Sequence, residues 1–150
     1  MEVTLAEWED CTDGISKLIE GHWRETDSYQ DKIVLNPDWS AYKMLMDNDM
    51  WFPFILKESH EVVGYASFFV TPMLHFQDHK AADCDMLYIK PEYRTAKNSI
   101  QLLLFAEGFL KNYDVSFIQL TAKVKTALGS FLSLMKYNAE EIKYGKYIGE

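Results

Sequence analysis

Leu87-Tyr88-Ile89-Lys90-Pro91-Glu92-Tyr93-Arg94-Thr95-Ala96-Lys97-Asn98-Ser99-Ile100-Gln101-Leu102-Leu103 is the stretch on which the reading of this chain turns. It opens as a strand, breaks at Pro91, passes through a short basic and polar turn, and enters an apolar helix. Such a junction aims several unpaired backbone N–H groups at one spot, and the helix dipole adds partial positive charge there. The result is an anion site suited to a phosphate or pyrophosphate, with Arg94 and Lys97 as sources of full charge. An ordinary capped helix with solvated cations would show the same local pattern. The turn alone leaves both readings open.

Working outward, Val3–Leu5 reads as a first strand. From Glu9 to Arg24, Cys11, Ile15, Leu18, Ile19 and Trp23 recur every three or four residues, which predicts an amphipathic helix. Asn36-Pro37-Asp38 predicts a second helix start with Asp38 as cap, ending in Asp47-Asn48-Asp49. Trp51–Lys57 and Glu61–Val70, broken at Glu58-Ser59-His60, predict a β-hairpin. Gly64 inside its second strand marks a bulge or a close backbone approach. Ala81–Lys90 predicts a strand with Asp83, Asp85, Leu87 and Ile89 on one face and Cys84, Met86 and Tyr88 on the other. A helix over Ser99–Asn112, a strand over Val115–Val124, a helix over Ala127–Tyr137 and a closing strand over Glu140–Ile148 complete the order β-α-α-β-β-β-α-β-α-β. That order specifies a single α/β domain over residues 1–150, with a mixed, mostly antiparallel sheet and helices on both faces. The unit Met86–Val124 is its expected parallel crossover.

Composition narrows the function. Fifteen basic and 23 acidic residues give a formal charge of −8, which argues against general affinity for a nucleic-acid backbone. The acidic residues are interspersed with basic ones, so mimicry of nucleic acid finds little support. Cys11 and Cys84 form no C-x-x-C pair, and free thiols in a reducing compartment are expected. Met1-Glu2-Val3 lacks a basic region followed by an apolar run, and no apolar stretch is long enough to span a bilayer. A cytoplasmic protein without membrane partners is the expectation. No nucleophile elbow, P-loop or G-x-G-x-x-G is present, and no His/Cys/Asp set has metal-ligand spacing.

The stretch from Ile89 to Leu103 resembles motif A of the GNAT superfamily of N-acetyltransferases, V-x-P-x-x-R-G-x-G-x-[GA]-x-x-L-L. Ile89, Pro91, Glu92, Tyr93, Arg94, Leu102 and Leu103 fall in register with it. The resemblance implies a GNAT-like fold in which the Thr95-Ala96-Lys97-Asn98-Ser99-Ile100 backbone, with Arg94, wraps the pyrophosphate of acetyl-coenzyme A as cosubstrate. It implies too that backbone groups at Leu87, Tyr88 and Ile89 hold the thioester and pantetheine arm. Phe131–Glu140 is similar to the family's late F-Y-x-K-x-G-[FY]-x-x-E stretch. His22-Trp23-x-Glu25, Leu35–Trp39 and Leu74-His75-Phe76 are similar to a subgroup carried by bacteriophages. The departures are specific: Thr95, Lys97 and Ser99 stand where glycines are usual, Leu132 where tyrosine is usual, and Lys136 where glycine is usual.

Acetyl transfer to an amine needs a proton acceptor and an oxyanion donor. The family's strand glutamate would fall at Ala81, so Asp85, with Asp83 beside it, is the preferred carboxylate. His75 lies in a loop of the kind that lines substrate pockets, and His22 lies where the resemblance places the flank of the acceptor site. The expected function is direct acetyl transfer to an amine in a ternary complex; the alternative is a catalytically inactive GNAT-like binding or assembly module. A protein lysine or N-terminus, a polyamine, an antibiotic and a modified base all remain open as acceptors. Tyr144–Ile148 as a final edge strand would pair two copies into a homodimer.

Overall fold

The computed structural model describes residues 1–124 and 126–149. Its sheet has five strands in the order β1 (Glu2–Leu5), β2 (Trp51–Glu58), β3 (Glu61–Pro72), β4 (Lys80–Ile89) and β5 (Val115–Gln119). The first three pairings are antiparallel and β4–β5 is parallel. Helices α1 (Trp8–Asp10), α2 (Ser16–Thr26) and α3 (Trp39–Asp47) cover one face, and α4 (Ala96–Asn112) and α5 (Ala127–Leu134) cover the other. Both faces are therefore buried. That explains why β2 reads as the continuous apolar run Trp51-Phe52-Pro53-Phe54-Ile55-Leu56 rather than an alternating one.

Two cores result. Phe52, Phe54 and Phe68 pack against Leu102, Leu103 and Leu110 of α4. Ile15, Leu18, Trp51, Ile55, Tyr65 and Met86 form the other. Between α1 and α2 the helix continues through a π-helical turn, Cys11–Ile15. A Cβ on Gly14 in that turn would lie 2.5 Å from the Val62 side chain, so glycine lets the helix sit directly on β3. Gly64 meets both of its expected roles. The β2–β3 register shifts between Leu56 and Lys57, and a Cβ on Gly64 would stand 3.0 Å from the Tyr88 carbonyl oxygen.

The observed elements correct several expected boundaries. α4 begins at Ala96 rather than Ser99 because Thr95 caps it, its side chain accepting from the Asn98 N–H. β5 stops at Gln119, short of Val124. α5 stops at Leu134, short of Tyr137, in a two-bond terminus: the Tyr137 N–H donates to the Leu132 carbonyl and the Lys136 N–H to that of Ser133. Glu140–Ile148 is not a strand. Tyr144 and Ile148 are each 88% exposed, and the expected pairing strand at Tyr144–Ile148 does not form. The physical reason is that the contacts this segment makes are with the α2–α3 connection and not with a strand edge. The segment instead reaches the α2–α3 connection, where the Tyr29 hydroxyl donates to the Gly145 carbonyl at 3.3 Å and Lys32 lies over the Tyr147 ring.

Lys136 closes the α5 terminus at φ 68°, a left-handed conformation that disfavours a residue with a Cβ. Lys136→Gly should therefore raise stability by about 0.5–1 kcal/mol after glycine's own entropy cost. Thermal unfolding should show this as a Tm higher by roughly 1–4 °C. A lower Tm would reject backbone strain as the governing effect at this position.

Candidate functional site

The site is assembled around the second half of β4. Its pairing with β5 runs from Lys80 opposite Val115 to Asp83 opposite Gln119 and then ceases, while β4 continues to Ile89. On its other side β4 stays paired with β3 as far as Gly64 opposite Ile89. The sheet is thus forked, and from Cys84 onward the β5-facing edge of β4 has no strand beside it. Leu87, Tyr88 and Ile89 lie on this open edge, which runs toward the N-terminus of α4.

At that N-terminus the Asn98 N–H is held by the Thr95 hydroxyl and the Ser99 N–H by the Thr95 carbonyl. The Ala96 and Lys97 N–H groups precede the first intrahelical bond and are capped by no acceptor among the described residues. The Asn98 side chain is 7% exposed and donates to the Tyr93 carbonyl at 2.8 Å, which fixes the turn from inside. Lys97 and Ile100 are exposed. Arg94 is engaged differently from the expected phosphate contact. Its guanidinium makes a bidentate pair with Glu25 of α2 at 2.6 and 2.9 Å and donates twice to the Ile89 carbonyl. It holds the Glu25 carboxyl below the usual carboxylate range, chiefly by that hydrogen bond.

On the opposite side of β4, a bulge decides which residues share the face of Asp85. Ser67 pairs with Met86 and Phe68 with Cys84, so Asp85 is the extra residue in the ladder. Asp83 and Asp85 share a face as expected, and the bulge reverses the expected alternation from Met86 onward. Cys84, Leu87 and Ile89 pack toward α4, whereas Met86 and Tyr88 belong to the α2 side, and Asp85 turns to that side as well. The Tyr42 hydroxyl donates to Asp85 at 3.0 Å and the Ser67 hydroxyl at 3.4 Å. The buried Trp51 indole N–H has no hydrogen-bond partner of normal geometry, but it too favours the Asp85 charge. Burial nevertheless dominates and raises the Asp85 carboxyl above its ordinary value. Burial, then the Asp85 charge, raises the Tyr42 phenol, which stays a donor.

A cavity of ≈ 300 Å³ adjoins this group, lined by His22 and Trp23 of α2, Val34 and Leu35 of the α2–α3 connection, Tyr42 of α3 and Met86 of β4. Asp85 stands behind its wall, reached through Tyr42. Asp83 pairs with Phe69 on the same sheet face but is exposed at the fork. His75 lies in the exposed turn between β3 and β4, at the end of β4 opposite Ile89. The structure therefore joins Asp85 to a cavity and leaves His75 apart from it.

His22, which the resemblance placed at the flank of the acceptor site, lines the cavity and is its most embedded titratable group among the described residues. Its Nδ1 is 2.8 Å from the Tyr65 hydroxyl, and its ring stacks on Tyr88 at 5.1 Å. Tyr88 in turn lies under the Arg94 guanidinium. Tyr65 is 43 residues away in sequence, so no local pattern could have disclosed the pair.

Comparison with solved structures identifies the architecture. An aminoglycoside acetyltransferase from an uncultured soil metagenomic sample, in complex with sisomicin, superposes with TM-score 0.78 at 16% identity, covering 99% of this chain and 95% of that one. This is the GNAT-like acetyltransferase fold. A glucosamine-6-phosphate N-acetyltransferase from Arabidopsis thaliana gives 0.75 at 13% identity, over 99% and 98%. A ribosomal-protein-alanine N-acetyltransferase from Brucella melitensis biovar Abortus gives 0.70 at 15%, over 100% and 99%. No protein-family model and no curated protein sequence matches the chain. At these identities the neighbours show the fold, and they lend nothing to the bacteriophage subgroup. Among the described residues, no helix is long and apolar enough to cross a membrane, and no acidic, His or Cys group could hold a metal.

Burial lowers the His22 pKa below its ordinary 6.5; Glu25 opposes this and Arg94 adds to it. The unfolded chain thus binds the proton more tightly, so His22 costs stability as pH falls below about 6.5 and the loss levels off below the folded value. Urea unfolding from pH 7.5 to 5 should show the native protein losing stability relative to His22→Gln over that window. Parallel curves for the two proteins would refute a buried, neutral His22.

Proposed function

We propose that the protein is an acetyl-coenzyme A-dependent N-acyltransferase that acts by direct transfer in a ternary complex. The observation that carries this reading is the forked sheet, whose open β4 edge leads to uncapped N–H groups at the start of a 17-residue helix. The residues fit the cosubstrate. Thr95 folds its side chain back onto Asn98, and Lys97 extends into solvent, so neither bulk in place of glycine covers the Ala96 and Lys97 N–H groups. Those groups and the Lys97 ammonium would hold the pyrophosphate, assisted by the helix dipole. Acetyl-coenzyme A supplies an acyl carbon activated as a thioester.

The chain's own residues then divide the work. Backbone groups of Leu87, Tyr88 and Ile89 position the thioester along the open edge and offer an N–H to its carbonyl oxygen. The acceptor amine occupies the cavity beside Tyr42. Its nitrogen attacks the acyl carbon, the carbon–sulfur bond breaks, and the sulfur leaves with the electron pair. The amine's proton passes to the Tyr42 oxygen as the Tyr42 hydroxyl gives its own proton to Asp85. A carboxylate whose pKa is raised by burial is a better acceptor for that purpose than a solvated one. Arg94 acts as a positioning residue, tying α2 to the end of β4. A cytoplasmic setting agrees with this chemistry.

A second reading, a binding module without turnover, has its own observations. Ala81 is 8% and Leu132 6% exposed, so the positions where relatives of this type carry acid–base side chains are core here. Calorimetric titration with acetyl-coenzyme A separates the possibilities. Binding in the micromolar range, with turnover of an amine panel that Asp85→Asn and Tyr42→Phe each lower about 100-fold at unchanged coenzyme affinity, is the expected result. Binding without turnover assigns the module reading. No binding near millimolar acetyl-coenzyme A removes the acyltransferase reading and leaves the module.

A further inference from the structure

We infer that the acceptor carries one cationic nitrogen on an apolar body about the size of a single ring, and that the cavity discriminates against polycations. This rests on the acyltransferase reading and specifies its substrate class.

The first observation is the cavity's floor and wall. Ile19 and Met86 belong to the second core and form the floor. Trp23 and Leu35 rise from it as half-buried walls. A flat apolar group placed there exchanges water for hydrocarbon and indole contacts. At ≈ 300 Å³ the space lies at the small end of the range for ligand sites.

Charge is the second. Among the described residues, Asp27 is the only carboxylate lining the cavity and no lysine or arginine lines it; one Asp27 oxygen accepts from the Tyr29 N–H at 2.7 Å. Asp85 serves one further cationic position through Tyr42. A single ammonium beside Tyr42 is matched by this arrangement. A second ammonium would have only the exposed Asp27 at the rim to pair with, and any further ammonium on the same molecule would be desolvated against Ile19, Leu35 and Met86 with no carboxylate beside it, which is costly.

The third is the rim. Ile33 is 50% and Val34 82% exposed although both stand at the cavity mouth. They lie in the α2–α3 connection, which is tied down at Tyr29 by Gly145. Apolar side chains held in water beside a cavity gain burial only when that cavity is filled by something apolar. A polycationic occupant would leave them wet and bring its charges against them.

The test is calorimetric titration of the full chain with phenethylamine, tryptamine, spermidine and kanamycin, each with and without saturating coenzyme A. The two monoamines should bind at least about tenfold more tightly than the two polycations. Val34→Asp, at a position too exposed to endanger folding, should weaken tryptamine about tenfold and strengthen spermidine. Tighter binding of spermidine or kanamycin to the native chain, or binding of none of the four, overturns the inference. Acetyl-coenzyme A binding is measured separately, so the two readings fail separately. Monoamine binding without acetyl-coenzyme A binding would remove the acyltransferase reading alone. Acetyl-coenzyme A binding with a polycation preference would remove this inference alone.

Discussion

One extra residue in β4 organises the region around Asp85. Cys84 faces the α4 core with Leu102, Leu103 and Ala106, and Asp85, next along the strand, turns to the other face, where it meets Tyr42 and Ser67. The bulge opposite Ser67 and Phe68 then brings Met86 onto that same face, so that carboxylate and thioether lie side by side and Leu87 and Ile89 return to the α4 side. A carboxylate on the α4 side would have stood among leucines without donors, which is strongly destabilising. The same irregularity lies just beyond Asp83, where β4 parts from β5, and a bulge bends its strand and strengthens the local twist. The facing of Met86 beside Asp85 and the parting of β4 from β5 thus fall at one place in the ladder.

Arg94 makes the two sides of β4 depend on each other. Its double donation to the Ile89 carbonyl fixes the end of the strand, and its pair with Glu25 fixes α2. The pair is partly solvent-exposed on both members, so its net stabilisation is small. Its value lies in geometry: a planar fork accepted by a carboxylate on one side and a carbonyl on the other defines the separation of α2 from β4. His22, stacked on Tyr88 beneath that guanidinium, inherits its position from the same clamp.

Features set by neighbours in sequence were legible there. The hairpin announced itself through aromatic and β-branched runs around Glu58-Ser59-His60, and Asp38 does cap α3, accepting from the Ala41 N–H. The Gly64 contact was readable because a strand glycine needs a reason. The fold class followed from the order of these elements. Features set by tertiary register were not legible. Alternation placed Asp85 on the face of Asp83, but that Met86 and Tyr88 join them depends on the β3 partner, which no local alternation encodes. Tyr144–Ile148 has strand-like residues but makes its contacts with the α2–α3 connection. The resemblance placed His22 beside the acceptor site, but its contacts with Tyr65 and Tyr88 are tertiary and no local pattern carries them. His75 sat in a loop of the right kind, but that turn lies at the wrong end of β4.

The division of labour along the chain explains why the two ligand sides differ in how recognisable they are. The proposed coenzyme side is made by consecutive residues from Leu87 to Ile100, and the groups proposed to work there are backbone N–H groups. Side chains there can change, as Thr95, Lys97 and Ser99 have, provided none folds over the helix terminus; Thr95 even supplies the cap. The proposed acceptor side is the cavity made by α2, the connection to α3, Tyr42 and Met86 of β4, and the groups proposed to work there are side chains. Each such side chain is free to vary with the acceptor. A chain can therefore keep the fold of its structural neighbours at 13–16% identity and still build a pocket of its own. The exposed pair Ile33 and Val34, at the mouth of the cavity, belongs to the part of the chain where such variation costs the fold least.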